Sequence, residues 1–593
     1  MKNLLYLNRY LLRYKWHLIL GFVFVAASNY FGVLIPQQIR KALDYVEDQI
    51  VAFKESIQSG VTEPSALNQT LFYFALTVIG FMILKGIFMY AMRQTIIVMS
   101  RLVEYDLRND VFEHLEKMDL SFYKRHKTGD LMARISEDVN KVRMYLGPSI
   151  LYGINLFTLF VMTITAMFQV NATLALYTLL PLPFLSLSIY FVSNQINRHS
   201  NIIQKQLSVL NSIAQEVYAG IRVVKSYVKE KQFGDYFESE NVRYMDQSMS
   251  LAKVNAYFYP LMILLISIST LLTIYIGGLQ VVAGKATAGN IAEFVIYVNM
   301  LTWPVTSIGW IASLMQQAEV SQGRINELMN QQPSIVNENY DEYPIEGKIE
   351  FRNVSFTFKD NGIKALNQVS FTILPGQKIA IVGRTGSGKS TIADLLLRLY
   401  DIEEGVILID DIPIKKHNIE WIRSRTGYIP QDVFLFSDTV SQNIRFGNQN
   451  ALPDEVMEYA GFASVHDDIQ GLPRQYETKI GERGVTLSGG QKQRISMARA
   501  FIKNPDIIIM DDALSAVDTK TEQKILSYLD NVLHNKTAII ITHRIYSLIE
   551  FDKIIVIDDG KLIETGTHDQ LIKNKGFYAG LYEQQKLIDN AGV

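Results

Sequence analysis

"GRTGSGKS", Gly383 to Ser390, follows the apolar run "KIAIV" and leads into "TIADLLLRLY". The run before it reads as a buried strand and the stretch after it as a helix. Gly383, Gly386 and Gly388 allow a tight turn whose backbone N–H groups face inward at a helix N-terminus. A phosphate is stabilised there. Lys389 supplies a cation for the β- and γ-phosphates, and Ser390 a hydroxyl ligand for Mg2+. Arg384, Thr385, Ser387 and Thr391 complete the candidate loop. The sequence therefore predicts an α/β P-loop domain that binds a nucleoside triphosphate with Mg2+.

The rest of such a site is spread over the next stretch of chain. "IIIMDDALSAVD", Ile507 to Asp518, is an apolar strand ending in two acids, and Asp511 at its end can complete the magnesium shell. Gln431 in "YIPQDVFLF" and His543 in "IITHR" each follow a strand-like run, placed to face the γ-phosphate, with Gln431 a further candidate magnesium ligand. "LSGGQKQR" sets Ser488, Gly489, Gly490 and Gln491 at the opening of a helix, which makes a second anion-binding surface.

The chain before the linker is of another kind. The whole chain has 593 residues, 48% of them hydrophobic, a net charge of −2 and no cysteine. Disulfides and thiolate metal sites are excluded, and the absence of basic excess argues against nucleic acid as a partner. Six apolar stretches, centred on 17–39, 71–97, 146–168, 172–193, 254–280 and 290–313, each supply the roughly 20 residues a bilayer crossing takes. The first is too long for a signal-peptide core and is expected to be a retained anchor. Basic residues orient the spans. Lys2, Arg9, Arg13 and Lys15 precede the first span, nine lie between 98 and 145 and eight between 193 and 253, against three in 40–70 and Lys285 alone in 281–289. Both termini are expected in the cytoplasm. The inner segments carry helical spacing without breakers, so the spans should run on as long helices with turns near 119–127 and 205–213. The expected domains are a transmembrane unit over 1–328, a polar linker over 329–347 and an ATP-binding unit over 348–593. Within the spans, Lys85 is expected to snorkel or pair internally. Glu293 reads as a gate residue or an interfacial charge. Trp303, Trp310, Tyr257 and Tyr259 can line a cavity or simply pack.

Taken in order, the phosphate loop, Gln431, LSGGQ, Asp511–Asp512 and His543 make the chain resemble the ATP-binding cassette exporters over nearly its whole length. "FYKRHKTGDLMARISEDVNKV" and "LNSIAQEVYAGIRVVKSY" carry the same resemblance in the membrane half. It implies a half-transporter in the bacterial inner or plasma membrane, with one six-helix domain, one nucleotide-binding domain and ATP as nucleotide. Phe358 in "VSFTF" would stack on adenine, where the family usually has tyrosine. The resemblance further implies a head-to-tail dimer with ATP between one chain's phosphate loop and the other's Ser488 and Gly490. Ser515 and Asp518 would form the loop crossing between the sites, and the inner turns would couple to the cassettes. The family normally follows the magnesium aspartate with a glutamate that polarises the attacking water, and here Asp512 is one methylene shorter. A retreat of about 1 Å costs on the order of 100-fold at such a position. "DDALSAVDTKTE" and "WPVTSIGW" are similar to one subunit of heterodimeric multidrug exporters, whose partner supplies the glutamate. The expected function is ATP-driven export of hydrophobic or amphipathic small molecules as half of an unequal pair. Rival readings are a homodimeric lipid or peptide exporter and an ATP-gated channel or regulatory subunit.

Overall fold

The computed structural model describes residues 2–59, 65–481, 487–514, 521–525, 527, 536–543 and 551–591. It divides into two compact units, Met1–Glu116 with Gly129–Gln331, and Lys117–Thr128 with Gln332–Val593.

Among the described residues of the first unit, six helices are long and apolar enough to cross a membrane: Lys15–Gln49, Gln69–Glu116, Thr128–Val170, Ala172–Ala219, Glu230–Val282 and Ala288–Met329. Each contains one of the six predicted stretches, and all run well beyond a bilayer's thickness. Polar groups that cannot reach water are matched between helices. Asn29 donates to Thr158 at 2.7 Å, and the Thr178 and Thr273 hydroxyls lie 2.9 Å apart. The Arg324 guanidinium joins Asp130 at 2.5 Å and Asp138 at 3.1 Å. Glu293 is fully buried, ion-paired with Arg40 at 3.0 Å and bonded by the Tyr297 hydroxyl at 2.9 Å. Lys85 is half-buried, with its stem laid against Gly32 of the first span.

The second inner turn lies further along than expected. Residues 205–213 stay inside the helix Pro181–Ala219, and Gln206 there donates to Glu240 at 2.6 Å. The break comes at Gly220, followed by the short helix Ile221–Ser226. "QKQLSVLNSIAQEVYA" offers no proline or glycine before Gly220, so the helix continues to it. The first turn falls where it is predicted, as the helix Leu120–Arg125 capped by Asp119.

The second unit contains two sheets. Strands β1 (Ile349–Thr357), β2 (Lys364–Ile373), β4 (Glu404–Ile409) and β5 (Ile412–Pro413) form an antiparallel sheet in the order β2-β1-β4-β5. Strands β3 (Lys378–Val382), β6 (Thr426–Ile429), β7 (Ile507–Asp511), β8 (Thr537–Ile541), β9 (Lys553–Asp558) and β10 (Lys561–Gly566) form the other, ordered β10-β9-β3-β8-β7-β6. All its neighbours are parallel except β9 and β10. Alternate residues of the central strands enter different cores. Ile379, Ile381, Ile509, Ile539 and Ile555 pack on one face, and Ala380, Val382, Met510, Ile540 and Val556 on the other. A parallel sheet covered on both faces needs apolar residues at every position, which is why "KIAIV" and "IIIMD" show no alternation. The similar-looking "GVILID" belongs instead to the antiparallel sheet.

Candidate active site

The phosphate loop leaves the end of β3 and enters the helix Lys389–Leu396. Two glycines are required by the backbone itself. A Cβ on Gly383 would come within 1.9 Å of the Ile557 carbonyl oxygen, and one on Gly388, at φ 96°, within 2.2 Å of the Ala365 oxygen. Lys389 is buried and its ammonium donates to the Gly383 and Arg384 carbonyls at 3.0 and 2.7 Å, holding the loop from inside. The Ser387 hydroxyl is buried without a protein hydrogen-bond partner, a polar group suited to an anion in the turn. Thr391 is buried in the first turn of the helix.

Asp511 ends β7 next to β8, paired with Ile541, and is hydrogen-bonded by Ser390. Burial pushes its carboxyl up, and Asp512 adds to that against Ser390, Lys389 and His543. Burial also pulls the Lys389 ammonium down, against the attraction of Asp511 and Asp512. A hydroxyl and a carboxylate side by side form a hard oxygen pair, the donor chemistry Mg2+ takes. The residues present thus fit a magnesium–nucleotide complex. Asp512 is nearly buried at φ 48°, and its N–H donates to the Ile541 carbonyl at 2.8 Å. His543 lies just beyond β8, half-buried, close enough to Asp511 to lower its pKa.

The other predicted residues lie on separate segments of the chain. Gln431 lies just past β6 and is exposed. Ser488 caps the helix Gly489–Phe501: its hydroxyl accepts from the Gln491 N–H at 3.2 Å, and the Gln491 side chain accepts from the Ser488 N–H at 3.0 Å. Gln491 also donates to Asp468 at 3.0 Å, while Ser488 and Gly489 stay exposed and Gly490 half-buried. Ser515 and Asp518 lie outside the described residues.

Phe358 follows β1 and is held by its N–H bond to the Ile363 carbonyl at 2.9 Å. Its ring meets Tyr400 edge-on at 5.4 Å, and the Lys124 ammonium sits 4.7 Å from its centre. Beside it opens a cavity of ≈ 550 Å³, bounded by Lys124, Arg125, Phe356, Tyr400 and Lys415 among others. Sequence reasoning missed Lys124 and Tyr400. The aromatic tail of "TIADLLLRLY" is the only local sign of the second. In the membrane unit, Trp303 and Trp310 both meet the Tyr152 ring edge-on, at 5.2 and 5.5 Å, and Tyr257 is exposed.

Residues 18–305 match the ABC transporter transmembrane region, and residues 366–515 match the ABC transporter domain. The chain is 34% identical over 561 residues to the multidrug resistance-like ATP-binding protein MdlA of Escherichia coli (strain K12), covering 94% of each. It is 37% identical over 492 residues to the probable multidrug resistance ABC transporter ATP-binding/permease protein YheI of Bacillus subtilis (strain 168), covering 82% of this chain and 84% of that one. Its fold is similar to that of a bacterial Atm1-family ABC exporter with ATP bound, with a TM-score of 0.75, 27% identity and 98% of each chain covered.

Proposed function

The chain belongs to the ABC transporters, a transport ATPase and multi-pass integral protein of the bacterial inner membrane, and from that premise we propose how its site works and what it carries. It exports hydrophobic or amphipathic small molecules, drug-like compounds or lipids, as one half of a dimer of unequal chains. The multidrug-resistance names of its relatives support the substrate class. So do the grouped rings of Tyr152, Trp303 and Trp310.

In this reading the transmembrane domain covers 1–328, the linker 329–347 and the ATP-binding domain 348–593. Lys389 and the loop N–H groups hold the phosphates, Ser390, Asp511 and Gln431 hold Mg2+, and Phe358 stacks on adenine. His543 faces the γ-phosphate. Mg2+, when bound, offsets the charge on the phosphate oxygens. Ser488, Gly489, Gly490 and Gln491 serve the partner's nucleotide, and Ser515 and Asp518 cross between the two sites. Asp512 is the group that should polarise the attacking water.

The observation that carries the unequal pair is the backbone at Asp512. Its N–H is bound to the neighbouring strand at 2.8 Å, so the main chain is not free to advance and recover the reach of the missing methylene. Turnover then depends on the partner's site, to which this chain gives Ser488. Ser488→Ala should damage ATPase activity of the assembled transporter by at least about 10-fold, as the loss of a transition-state contact does. Asp512→Ala should cost less. If the Asp512 change is the more damaging, the chain works as a homodimer with Asp512 as base.

A further inference from the structure

The C-terminal helix Phe577–Ala591 reaches two loops of the nucleotide site. Near its start, the Phe577 ring lies 5.0 Å beneath the guanidinium of Arg384, a phosphate-loop residue. About two turns later, Gln585 donates from its side-chain amide to the backbone carbonyl of His543. Phe577, Leu581 and Gln585 follow one another in steps of four along one helix face. The first two pack on the sheet core, while the third carries an amide where another apolar residue would continue the stripe. The helix does not depend on Gln585 for its place. Glu564 of β10 accepts from the N–H groups of Phe577 and Tyr578 at 2.7 and 3.0 Å. Tyr578 is fully buried, with its hydroxyl 2.8 Å from His568 Nδ1.

We propose that Gln585 is a positioning residue for ATP hydrolysis at this chain's own site. The phosphate loop and His543 leave the ends of β3 and β8, which are neighbouring parallel strands. One helix therefore braces both loops, by a cation–π contact at Arg384 and a hydrogen bond at His543. The bond to the carbonyl fixes the peptide orientation after β8, and with it the direction in which the imidazole projects. The inference rests on the reading of His543 as the group facing the γ-phosphate.

The test is single-turnover ATP hydrolysis at this chain's site in the purified full-length transporter. Gln585→Ala should slow it about fivefold, the effect of one lost hydrogen bond on a barrier. The ATP concentration for half-maximal rate and the melting temperature should not change. Gln585→Lys, which still carries a donor, should recover most of the rate. Gln585→Glu, whose carboxylate has no proton to give, should not. His543→Ala tests the underlying reading separately and should abolish hydrolysis. A slow His543→Ala beside a Gln585→Ala of wild-type rate overturns the inference, as does a lysine variant no faster than alanine. A His543→Ala of wild-type rate overturns the reading on which it rests.

Discussion

Asp512 occupies a left-handed backbone position, φ 48°, which aspartate tolerates better than longer side chains because its carboxylate bonds locally. Glutamate there gains about 1 Å of reach at the cost of slight strain. We expect Asp512→Glu to speed single-turnover hydrolysis at this site, by up to about 100-fold. Overall transport should change less if the partner's site sets the pace. An equal or slower rate would mean that side-chain length was never limiting. Lys389→Ala removes both the phosphate cation and the bonds to the Gly383 and Arg384 carbonyls. It should abolish high-affinity binding of labelled ATP to this chain, and unchanged affinity would refute the phosphate-loop assignment. Residues with a fixed spacing, from Gly383 to Ser390 and Ser488 to Gln491, are legible in the sequence because their geometry is local. Gln585 is not, because its partner at His543 lies 42 residues away and no pattern marks a lone amide on a helix face.

At the scale of elements, the short helix Leu120–Arg125 shows how a turn is held to the linker. Its cap, Asp119, accepts from the Phe122 N–H at 2.9 Å, from the Ser334 N–H at 2.8 Å and from the Ser334 hydroxyl. Burial alone would raise this carboxyl, but the bonds from Ser121, Ser334 and Phe122 outweigh it and bring it to about 2. A carboxyl depressed in the folded state stabilises above its unfolded pKa of roughly 4. The contribution fades as pH falls from there towards the folded value. Asp119→Asn keeps a capping oxygen but replaces a charged acceptor by a neutral one, and should therefore lower stability by about 1 kcal/mol at neutral pH. In thermal melts the gap to wild type should stay constant down to about pH 5 and close below pH 4. A gap still at its full size at pH 2 would show that charge at Asp119 does not carry the effect. The cap was legible as a turn near 119–127. The link to Ser334 was not, since it joins segments 215 residues apart.

At the scale of the whole molecule, an ion pair between half-buried Arg40 and fully buried Glu293 ties the first and last spans. Glu293→Gln removes the ion-pair partner of half-buried Arg40 and should cost about 2 kcal/mol, below the range for a fully buried pair. The double change Arg40→Met with Glu293→Leu should cost clearly less, because no buried charge is stranded. Melting of the purified chain in lipid checks this, and a double variant as unstable as the single one would sink the account. The sequence by itself determined six apolar spans and a P-loop domain. Each rests on composition, period or fixed spacing, which act over a few turns or strands of chain. Only the tertiary structure decided that Glu293 pairs with Arg40, that Tyr152 joins the two tryptophans, and that "GVILID" lies in the antiparallel sheet. It alone showed that the main chain at Asp512 is held to β8. These depend on which faces of distant elements meet, and burial and hydrogen bonding, not local propensity, select that meeting.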